Sequence, residues 1–411
     1  MIFKTNNVIG FTHATVLAGL LGITASDPAA AQPPMASHGT TAAIEACVPT
    51  GRWIAPATGR TLEAQQMIAD MARRPVVLLG ETHTSEEDHR WQLQTIAALF
   101  GRNPNMVIGF ESFPRAAQPV LDRWTRGELS KQEFLEQSRW NEVWRYDASL
   151  YMGLFDFVRM HRIPMRALNV DMSLPRRIGE HGRDGIPESD MEGVGAPAPP
   201  ADDYRQSLRE IFDKHVGKHR EDRSFDNFVA AQQTWDRAMA EALADARTAG
   251  GNPLVIGIIG SGHLEYKHGV PAQLLDLGID NAAVLLTWDR GASCEQMASK
   301  SGTPVADAVF GTDAPAHHST QRPKLGVMIE TTGDGERPGA RVARVVEDSV
   351  ASAAGLKKGD VVINAASMPI ENTAQLIALI QRHSPGTWLP MTVLRDGVEK
   401  DIVAKFPALQ P

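Results

Sequence analysis

The chain has 411 residues, of which 43% are hydrophobic and 22% are charged, and its formal net charge is -8. This length predicts two domains, and the composition is that of a globular protein rather than a disordered chain. The acidic balance argues against a nucleic-acid-binding protein, which normally presents a basic face.

The first thirty residues differ from the rest of the chain. Lys4 precedes an apolar run at 14–25, and the small residues Ala29, Ala30 and Ala31 follow it. This pattern predicts a secretory signal at 1–31, and the alternative is an uncleaved N-terminal anchor. We therefore expect a periplasmic or secreted protein with no transmembrane segment after removal of the signal. A leader rich in Pro, Ala, Ser and Thr follows to about Thr41.

Short apolar runs then alternate with helical patterns. Nearly continuous Val, Ile and Leu runs suit strands that are buried on both faces, and we predict them at 75–80, 106–110, 165–170, 254–260 and 282–287. Helices are predicted at 61–71, 86–100, 117–126, 131–137, 149–161 and 225–247. This order indicates an α/β domain with a mostly parallel central sheet and flanking helices.

Two local features punctuate this pattern. Thr84 followed by Glu87 is typical of a capping box, with Thr84 as the N-cap of the second helix. The residues before it, 81–83, are therefore predicted to form a tight turn between strand and helix. The segment 174–203 is rich in Gly, Pro and charge and is predicted to be a long loop, either a lid or surface decoration.

Polar residues follow four of the predicted strands. In parallel α/β sheets, ligands bind outside the carboxyl ends of the strands, so these residues are expected to converge on a pocket. They are Glu81 and His83, Glu111, Asn169 and Asp171, and finally Ser261, Gly262 and His263.

The residue types allow a metal site. His83, His263, Glu81 and the nearby His89 could ligate a divalent metal such as zinc or manganese, and a free Glu81 or Glu111 could act as general base. Alternatively, the glutamates receive helix N-terminal N–H groups and the histidines are satisfied buried donors. No tight zinc spacing such as His-Glu-x-x-His occurs, so spacing leaves both interpretations open.

Two Gly-x-x-His segments, 80–83 (GETH) and 260–263 (GSGH), resemble the paired motifs of the ChaN/Tiki superfamily. Other segments resemble its ChaN-like haem-binding branch, namely 109–111 (GFE), Trp140, Trp144 and Tyr151, 167–169 (ALN), 231–232 (AQ), Asp236, and 239–240 (MA). The resemblance covers the predicted domain at 43–313. It implies haem binding in bacterial iron acquisition, although Tiki members are metal-dependent proteases and the erythromycin esterases share the scaffold.

The resemblance also implies site residues. The family's Gly-x-x-His and Glu positions correspond to His83, His263, Glu81 and Glu111, of which Glu81 and Glu111 would be catalytic in a hydrolase. Candidate axial ligands for haem iron are Tyr266, Tyr204 and His215, which is paired with His219 at helical spacing. Candidate pocket residues are Asn169, Gln232 and Asp236. ChaN-like proteins hold haem at a dimer interface, so a homodimer is also implied.

The two cysteines, Cys47 and Cys294, lie near the ends of this domain. If the chain is exported, its compartment permits a disulfide between them. Two buried thiols are the alternative, because the sequence does not give the geometry that a disulfide requires.

A second change of pattern at 312–322 predicts a linker at 314–321. Residues 322–408 then resemble a PDZ domain, through 324–327 (KLGV), 349–362, a helix at 373–383 and a hairpin at 393–397. The resemblance implies that a partner's C-terminal strand adds beside Gly326, with its carboxylate held by the N–H groups of Leu325, Gly326 and Val327. An intramolecular brace or a dimer module is the alternative.

Two functions remain open from sequence. The first is an exported haem-binding protein in iron or haem acquisition, whose PDZ domain binds peptide or protein C-termini. The second is a metal-dependent hydrolase or peptidase that uses the two Gly-x-x-His segments with Glu81 and Glu111. A catalytically silent scaffold is a third reading.

Overall fold

The computed structural model of the protein describes residues 47–216, 224–289, 292–313, 324–333, 335–381 and 386–408. The predicted signal, the leader and the linker lie outside these residues, as does His219. Within the described ranges, no helix combines the length and the apolar character needed to cross a membrane.

The strands of the described chain form two sheets. They are β1 (Trp53–Ala55), β2 (Arg60–Leu62), β3 (Val76–Glu81), β4 (Met106–Pro114), β5 (Met165–Asn169), β6 (Leu254–Gly260), β7 (Ala283–Asp289), β8 (Ala308–Thr312), β9 (Val327–Thr331), β10 (Ala340–Val345), β11 (Val361–Ala365), β12 (Met368–Pro369), β13 (Trp388–Arg395) and β14 (Val398–Lys405). The larger sheet has the order β2-β1-β8-β7-β3-β6-β4-β5, and the smaller has the order β14-β13-β11-β10-β9 with β12 paired to β11.

Helices cover the larger sheet and pack on the smaller one. They are α1 (Ala64–Met71), α2 (Glu86–Phe100), α3 (Gln118–Arg126), α4 (Lys131–Gln137), α5 (Trp140–Val143), α6 (Ser149–His161), α7 (Ser173–His181), α8 (Asp202–Val216), α9 (Phe225–Thr248), α10 (Val270–Asp276), α11 (Val350–Ala353) and α12 (Thr373–Gln381). Single 3₁₀ turns lie between several of them.

The larger sheet is mostly parallel. From β8 to β5 every neighbouring pair is parallel, whereas β1 and β2 are antiparallel additions at one edge. The predicted α/β class is therefore confirmed. The two antiparallel edge strands, with three residues each, were not predicted because such short segments carry little periodicity.

Side chains of β3 show why its apolar run is continuous. Val77 and Leu79 join one hydrophobic cluster, which includes residues of α2, α3 and α6. Val76 and Leu78 join a second cluster, which includes residues of α9 and α10. Alternate residues of a strand point to opposite faces, so a strand between two helical layers is apolar on both faces. Burying each such side chain contributes roughly 1.5–3 kcal/mol.

The structure differs from two predictions near the first strand. The predicted helix 61–71 begins only at Ala64, because 60–62 pair as β2 with β1. The N-cap of α2 is Ser85 rather than Thr84, and its side chain accepts a hydrogen bond from the N–H of Asp88 at 3.1 Å. The predicted N-cap is therefore wrong by one residue, and the reciprocal bond of a capping box is not made, because the Asp88 carboxylate accepts from the N–H of Thr82 instead.

The predicted long loop at 174–203 is also wrong in part. It contains α7 and two 3₁₀ turns, and α8 begins within it at Asp202. Leu174 and Ile178, four residues apart, pack with Met191 and Val194 in a hydrophobic cluster that also contains residues of α9. This small core orders a segment whose Gly and Pro content predicts a loop.

The smaller sheet has its own core. Its buried residues include Leu325, Val342, Val362, Leu376 and Leu389, which come from its strands, from α12 and from the segment before β9. Short antiparallel strands with two helices are the arrangement that the PDZ resemblance implies.

Cys47 and Cys294 are joined by a disulfide with their Cα atoms 5.7 Å apart. The bond links the residues before β1 to the 3₁₀ turn after β7.

Candidate functional site

The turn that follows β3 is shaped by a buried carboxylate. Asp88, on the first turn of α2, accepts hydrogen bonds from the N–H of Thr82 at 2.7 Å and from the hydroxyl of Thr287 at 2.9 Å. These bonds tie the turn to α2 and to β7. Consequently His83 is held at the carboxyl edge of the sheet, as the sequence predicts for a strand-to-helix turn.

Glu81 ends β3 and is 3% exposed. Its Oε1 accepts hydrogen bonds from the Tyr151 hydroxyl at 2.5 Å and from His83 Nδ1 at 2.9 Å. Its Oε2 accepts one from Gln92 Nε2 at 3.1 Å, and His89 Nε2 lies 3.4 Å away. Glu81 is thus enclosed by donors.

These donors decide the charge of Glu81. Burial alone raises the pKa of a carboxyl group, but the hydrogen bond from His83 and the nearby ring of His89 outweigh it. The pKa of Glu81 is lowered to about 2. Glu81 is therefore ionised at neutral pH and pairs with His83 rather than serving as a proton acceptor.

A second acid–histidine pair is built from α9 and the turn after β6. Asp236 is fully buried, and its Oδ1 accepts a hydrogen bond from His263 Nδ1 at 2.6 Å. Its Oδ2 accepts one from the Tyr204 hydroxyl at 2.8 Å. Although burial alone lowers the pKa of His263, the charges of Asp236 and Glu111 raise it to about 9.

His83 behaves similarly. Burial disfavours its charged ring, yet the hydrogen bond to Glu81 and the charge of Glu111 raise its pKa above the ordinary value. Both imidazoles thus have Nδ1 engaged by a carboxylate. A carboxylate on one ring nitrogen fixes the tautomer and orientation of the other nitrogen, which is the way proteins prepare ligand histidines.

Glu111 lies between the two histidines. Its Oε2 accepts a hydrogen bond from the N–H of Gly260 at 2.7 Å, and its Oε1 is 3.8 Å from His263 Nε2. Gly260 also allows close packing, because a Cβ there would lie 2.8 Å from His83 Cε1 and 3.4 Å from Glu111 Oε2. His83, Glu111 and His263 therefore meet around Gly260.

Aromatic side chains border this centre. The His83 ring lies 4.6 Å from Trp144 and 5.2 Å from Tyr146, and the His263 ring lies 5.1 Å from Trp235. The side chain of His83 is 25% exposed and that of His263 is 14% exposed. The centre is thus reachable from solvent between flat apolar faces.

The four predicted metal ligands do not form one coordination set. Glu81 and His89 are each 3% exposed and face the protein interior, and His89 Nδ1 donates to the carbonyl of Ser85 at 2.5 Å. No group of three or more His, Cys, Asp or Glu side chains with metal-binding geometry occurs in the described ranges. The open centre therefore consists of the two partly exposed rings of His83 and His263, with the buried carboxylate of Glu111 beside them.

The predicted haem ligands lie in different settings. The Tyr204 hydroxyl is buried on Asp236, and burial together with that charge raises the pKa of Tyr204 well above its ordinary value. The Tyr266 hydroxyl donates to the carbonyl of Gln296 at 2.9 Å, and burial raises its pKa as well. His215 lies near the end of α8, and its side chain lies outside the description.

The residues predicted to line the pocket also lie in different settings. Asn169 lies beneath the centre, where its Nδ2 donates to the carbonyl of Glu111 at 3.0 Å. Asp236 holds His263, and Gln232 is half-buried on α9. Asp171 is exposed and caps the following helix through the N–H of Ser173 at 2.8 Å.

Asp88, Tyr146 and Trp235 were not predicted from sequence. Tyr151 and Trp144 entered only through the family resemblance, without a role of their own. The density of aromatic residues between Trp140 and Tyr151 is a signal that could have indicated a site border. Asp88 carries a weaker signal, because an acid in the first helical turn normally interacts with the helix terminus.

In the second domain, β9 lies at the edge of the smaller sheet. Gly326 precedes this strand with φ +80°, and a Cβ there would lie 2.2 Å from the Cβ of Ser349. The carbonyls of Leu325 and Gly326 accept hydrogen bonds from Ala351 and Val346. At the other end, the hydroxyls of Thr331 and Thr373 lie 3.2 Å apart and join β9 to α12.

Comparison with known proteins gives matches for both domains. A family model described as haem-binding uptake, Tiki superfamily, ChaN matches residues 67–274, and a PDZ model matches residues 323–405. A probable periplasmic serine endoprotease, DegP-like, from Pseudomonas savastanoi pv. phaseolicola is 36% identical over 93 residues, which are 21% of this chain and 19% of that protein. The chain therefore spans about a fifth of the length of this curated relative.

Solved structures give similar matches. A structure of cofacial haem binding to ChaN of Campylobacter jejuni is 19% identical with a TM-score of 0.49, and covers 63% of this chain and 95% of that one. The HtrA-type protease AlgW with a decapeptide is 26% identical with a TM-score of 0.21, and covers 22% of this chain and 30% of that one. Since the first family model spans half of the sequence, the chain belongs to the haem-binding uptake family ChaN of the Tiki superfamily, and it carries a PDZ domain at its C-terminal end.

Proposed function

We propose that this protein binds haem at the open centre formed by His83, Glu111 and His263. The observation that carries the proposal is the partly exposed ring of His83, in a chain whose family is described as haem-binding uptake. Its ring is 25% exposed and its Nδ1 is fixed by Glu81, while Nε2 makes no protein hydrogen bond among the described residues. Such an imidazole is suited to coordinate an iron ion from the open side.

The surroundings fit a flat aromatic ligand. Trp144, Tyr146 and Trp235 are half-buried, so each offers ring surface on which a porphyrin could stack. The Tyr146 hydroxyl has no protein hydrogen bond within the described ranges and is a second candidate for the iron. Tyr266 and Tyr204 are less suited, because both hydroxyls already donate to protein oxygens.

We further propose that the protein is exported and that haem acquisition is its role. The disulfide between Cys47 and Cys294 supports an oxidising compartment, in which such bonds persist. The PDZ domain would bind the C-terminus of a peptide or protein beside β9, because β9 lies at the edge of the smaller sheet and an added strand could pair with it. A homodimer around haem is a part of this proposal that size-exclusion chromatography with and without haemin tests.

Haemin titration tests the binding function. Protein purified without haem is titrated with haemin, and a saturable Soret shift with defined stoichiometry is expected. His83→Ala should weaken the affinity at least tenfold, whereas Tyr266→Phe should leave it unchanged. A saturable shift that is lost in Tyr266→Phe and kept in His83→Ala would instead make Tyr266 the ligand. An absence of saturable binding would rule out the proposed function.

A metal-dependent hydrolase is the second candidate, favoured by one observation. Both histidines have Nδ1 on a carboxylate, as metal-ligating histidines usually do. In this hypothesis Glu111, which lies beside both rings, is the general base, a role that the sequence left open between Glu81 and Glu111. Elemental analysis of the purified protein and chelator-sensitive cleavage of an unfolded protein test it. Cleavage that survives both a chelator and Glu111→Gln would contradict this mechanism.

A further inference from the structure

Tyr204 takes part in a buried chain of hydrogen bonds that ends at His263. The hydroxyl of Tyr204, on α8, reaches Asp236, on α9, and the other oxygen of Asp236 accepts the Nδ1–H of His263. Tyr204 is 5% exposed and Asp236 is fully buried, so water does not compete freely for these groups. The chain joins residues that are 59 positions apart in sequence, from 204 to 263.

A second chain of the same composition ends at His83. The hydroxyl of Tyr151, on α6, reaches Oε1 of Glu81, which also accepts the Nδ1–H of His83. Tyr151 is 1% exposed and Glu81 is 3% exposed. The two hydrogen-bond series share no helix or strand. Each nevertheless consists of a tyrosine, a carboxylate and a histidine whose Nδ1 donates to that carboxylate.

We propose that Tyr151 and Tyr204 are positioning residues, each of which holds a buried carboxylate so that the Nε2 atoms of His83 and His263 are kept beside Glu111. A carboxylate with one partner can rotate or exchange that partner, whereas a second donor on the same group restricts it. The restricted carboxylate keeps a proton on Nδ1 and directs Nε2 towards a ligand, which Nε2 coordinates once it has lost its own proton. In so far as that ligand is haem, the inference rests on the proposed function.

The environment of the two hydroxyls supports a donor role. Burial and an adjacent carboxylate raise the pKa of both Tyr151 and Tyr204 well above the ordinary value. Each phenol therefore stays protonated at neutral pH and donates to its carboxylate. The inference also explains why Tyr204, a candidate ligand by sequence, is directed into the protein.

Imidazole NMR on ligand-free protein tests the positioning role. The full chain is labelled with ¹⁵N-histidine, and the far-downfield Nδ1–H resonances of His83 and His263 are assigned by their loss in His83→Gln and His263→Gln. Tyr204→Phe should shift or broaden the His263 resonance and leave that of His83 in place. Tyr151→Phe should do the reverse, so each variant is the control for the other.

Tyr146→Phe is the matched control, because it removes a hydroxyl near His83 that has no protein partner in the described chain. It should move neither resonance. If Tyr204→Phe and Tyr151→Phe also leave both resonances unchanged, or if each disturbs both equally, the two tyrosines are not positioning residues.

A second measurement covers the case in which a phenylalanine variant fails to fold. Incorporation of 3-fluorotyrosine keeps all four hydroxyls and makes each a stronger donor, so both Nδ1–H resonances should move. Unmoved resonances would contradict the proposal.

Haemin titration of the phenylalanine variants separates the positioning role from haem binding. A tenfold loss of affinity in Tyr204→Phe supports both, whereas responsive resonances without any saturable haemin binding leave the positioning role standing and overturn the haem proposal.

Discussion

Each domain buries one aspartate in an ion pair, and the two pairs differ in the partner. Asp236 pairs with His263 in the larger domain, and Asp360 pairs with Arg395 in the PDZ domain. The exposed fractions of the two carboxylates are 0% and 1%. Burial of the acid is therefore the same, and the partner decides what the pair can do.

The Asp360–Arg395 pair is saturated. Arg395 donates to both carboxylate oxygens at 2.7 Å and to the carbonyl of Gly355 at 2.8 Å, and Asp360 also accepts the N–H of Lys357 at 2.8 Å. A guanidinium stays charged at every physiological pH, so this pair acts as a fixed brace. His263, in contrast, gives only Nδ1 to Asp236 and keeps Nε2 on the open side. A buried acid paired with histidine thus leaves a nitrogen for chemistry, which an acid paired with arginine does not.

The largest expected effect is that of Asp236→Ala. It leaves the His263 charge buried without its acid and the Tyr204 hydroxyl without an acceptor, so the free energy of unfolding should fall by about 3–5 kcal/mol. Urea denaturation measures it. Asp245→Ala is the control on the same helix. The Asp245 carboxylate is 70% exposed and pairs with Arg166, so its removal should lower the free energy of unfolding by less than about 1 kcal/mol. Similar small losses in both variants would show that the buried pair is not stabilising.

Asp360→Ala should destabilise the PDZ domain by a similar amount, about 3–5 kcal/mol, because it leaves Arg395 without its acid. Haemin affinity should be unchanged in this variant and reduced in Asp236→Ala, since only the latter orients a ring at the site. Titration of both variants below their unfolding transitions measures the difference. Asp401→Ala, on the exposed face of β14, is the control for the PDZ domain. A loss of haemin affinity in Asp360→Ala would contradict the separation of brace and site.

The pH dependence of stability should also separate the pairs. The pKa of His263 is raised to about 9 in the fold, so its stabilisation is complete below about pH 6.5 and is lost as the pH rises through 9. Although burial opposes it, Arg395 lowers the pKa of Asp360, so that stabilisation is lost only as the pH falls. Between pH 6 and 10, the free energy of unfolding should therefore fall for the larger domain alone. The same loss in Asp236→Asn would show that another group causes it.

The smallest expected effect concerns packing at the site. A Cβ on Gly260 would lie 2.8 Å from the His83 ring, so Gly260→Ala should displace that ring, cost about 1–3 kcal/mol and weaken haemin binding. Gly262→Ala is the matched control two residues away, where a Cβ would meet nothing within 4 Å. Unfolding and haemin titration of both variants measure the effect. Equal behaviour of the two variants would contradict the close packing of His83 on the strand end.

Much of the fold follows from local pattern. The parallel strands are buried on both faces, so their apolar runs are continuous and stand out between helical periods. The short edge strands β1 and β2 lack such a run, and the ordered part of 174–203 depends on contacts with α9 that no local pattern contains. Local signals also place a cap only within a residue or so, which is why Thr84 replaced Ser85 in the prediction.

The sequence by itself determined the class of fold and the resemblance of the two domains to the ChaN/Tiki superfamily and to PDZ domains. It also determined that Glu81, His83, Glu111 and His263 converge on one edge of the sheet, because the carboxyl ends of parallel strands meet there. Only the tertiary structure decided which of these groups face solvent and which accept hydrogen bonds from buried side chains. Tyr151 and Tyr204 come from helices far along the chain, and their hydrogen bonds to Glu81 and Asp236 depend on how those helices pack. The physical reason is that periodicity records which residues are buried, whereas the direction of a buried polar group is set by partners that lie distant in sequence.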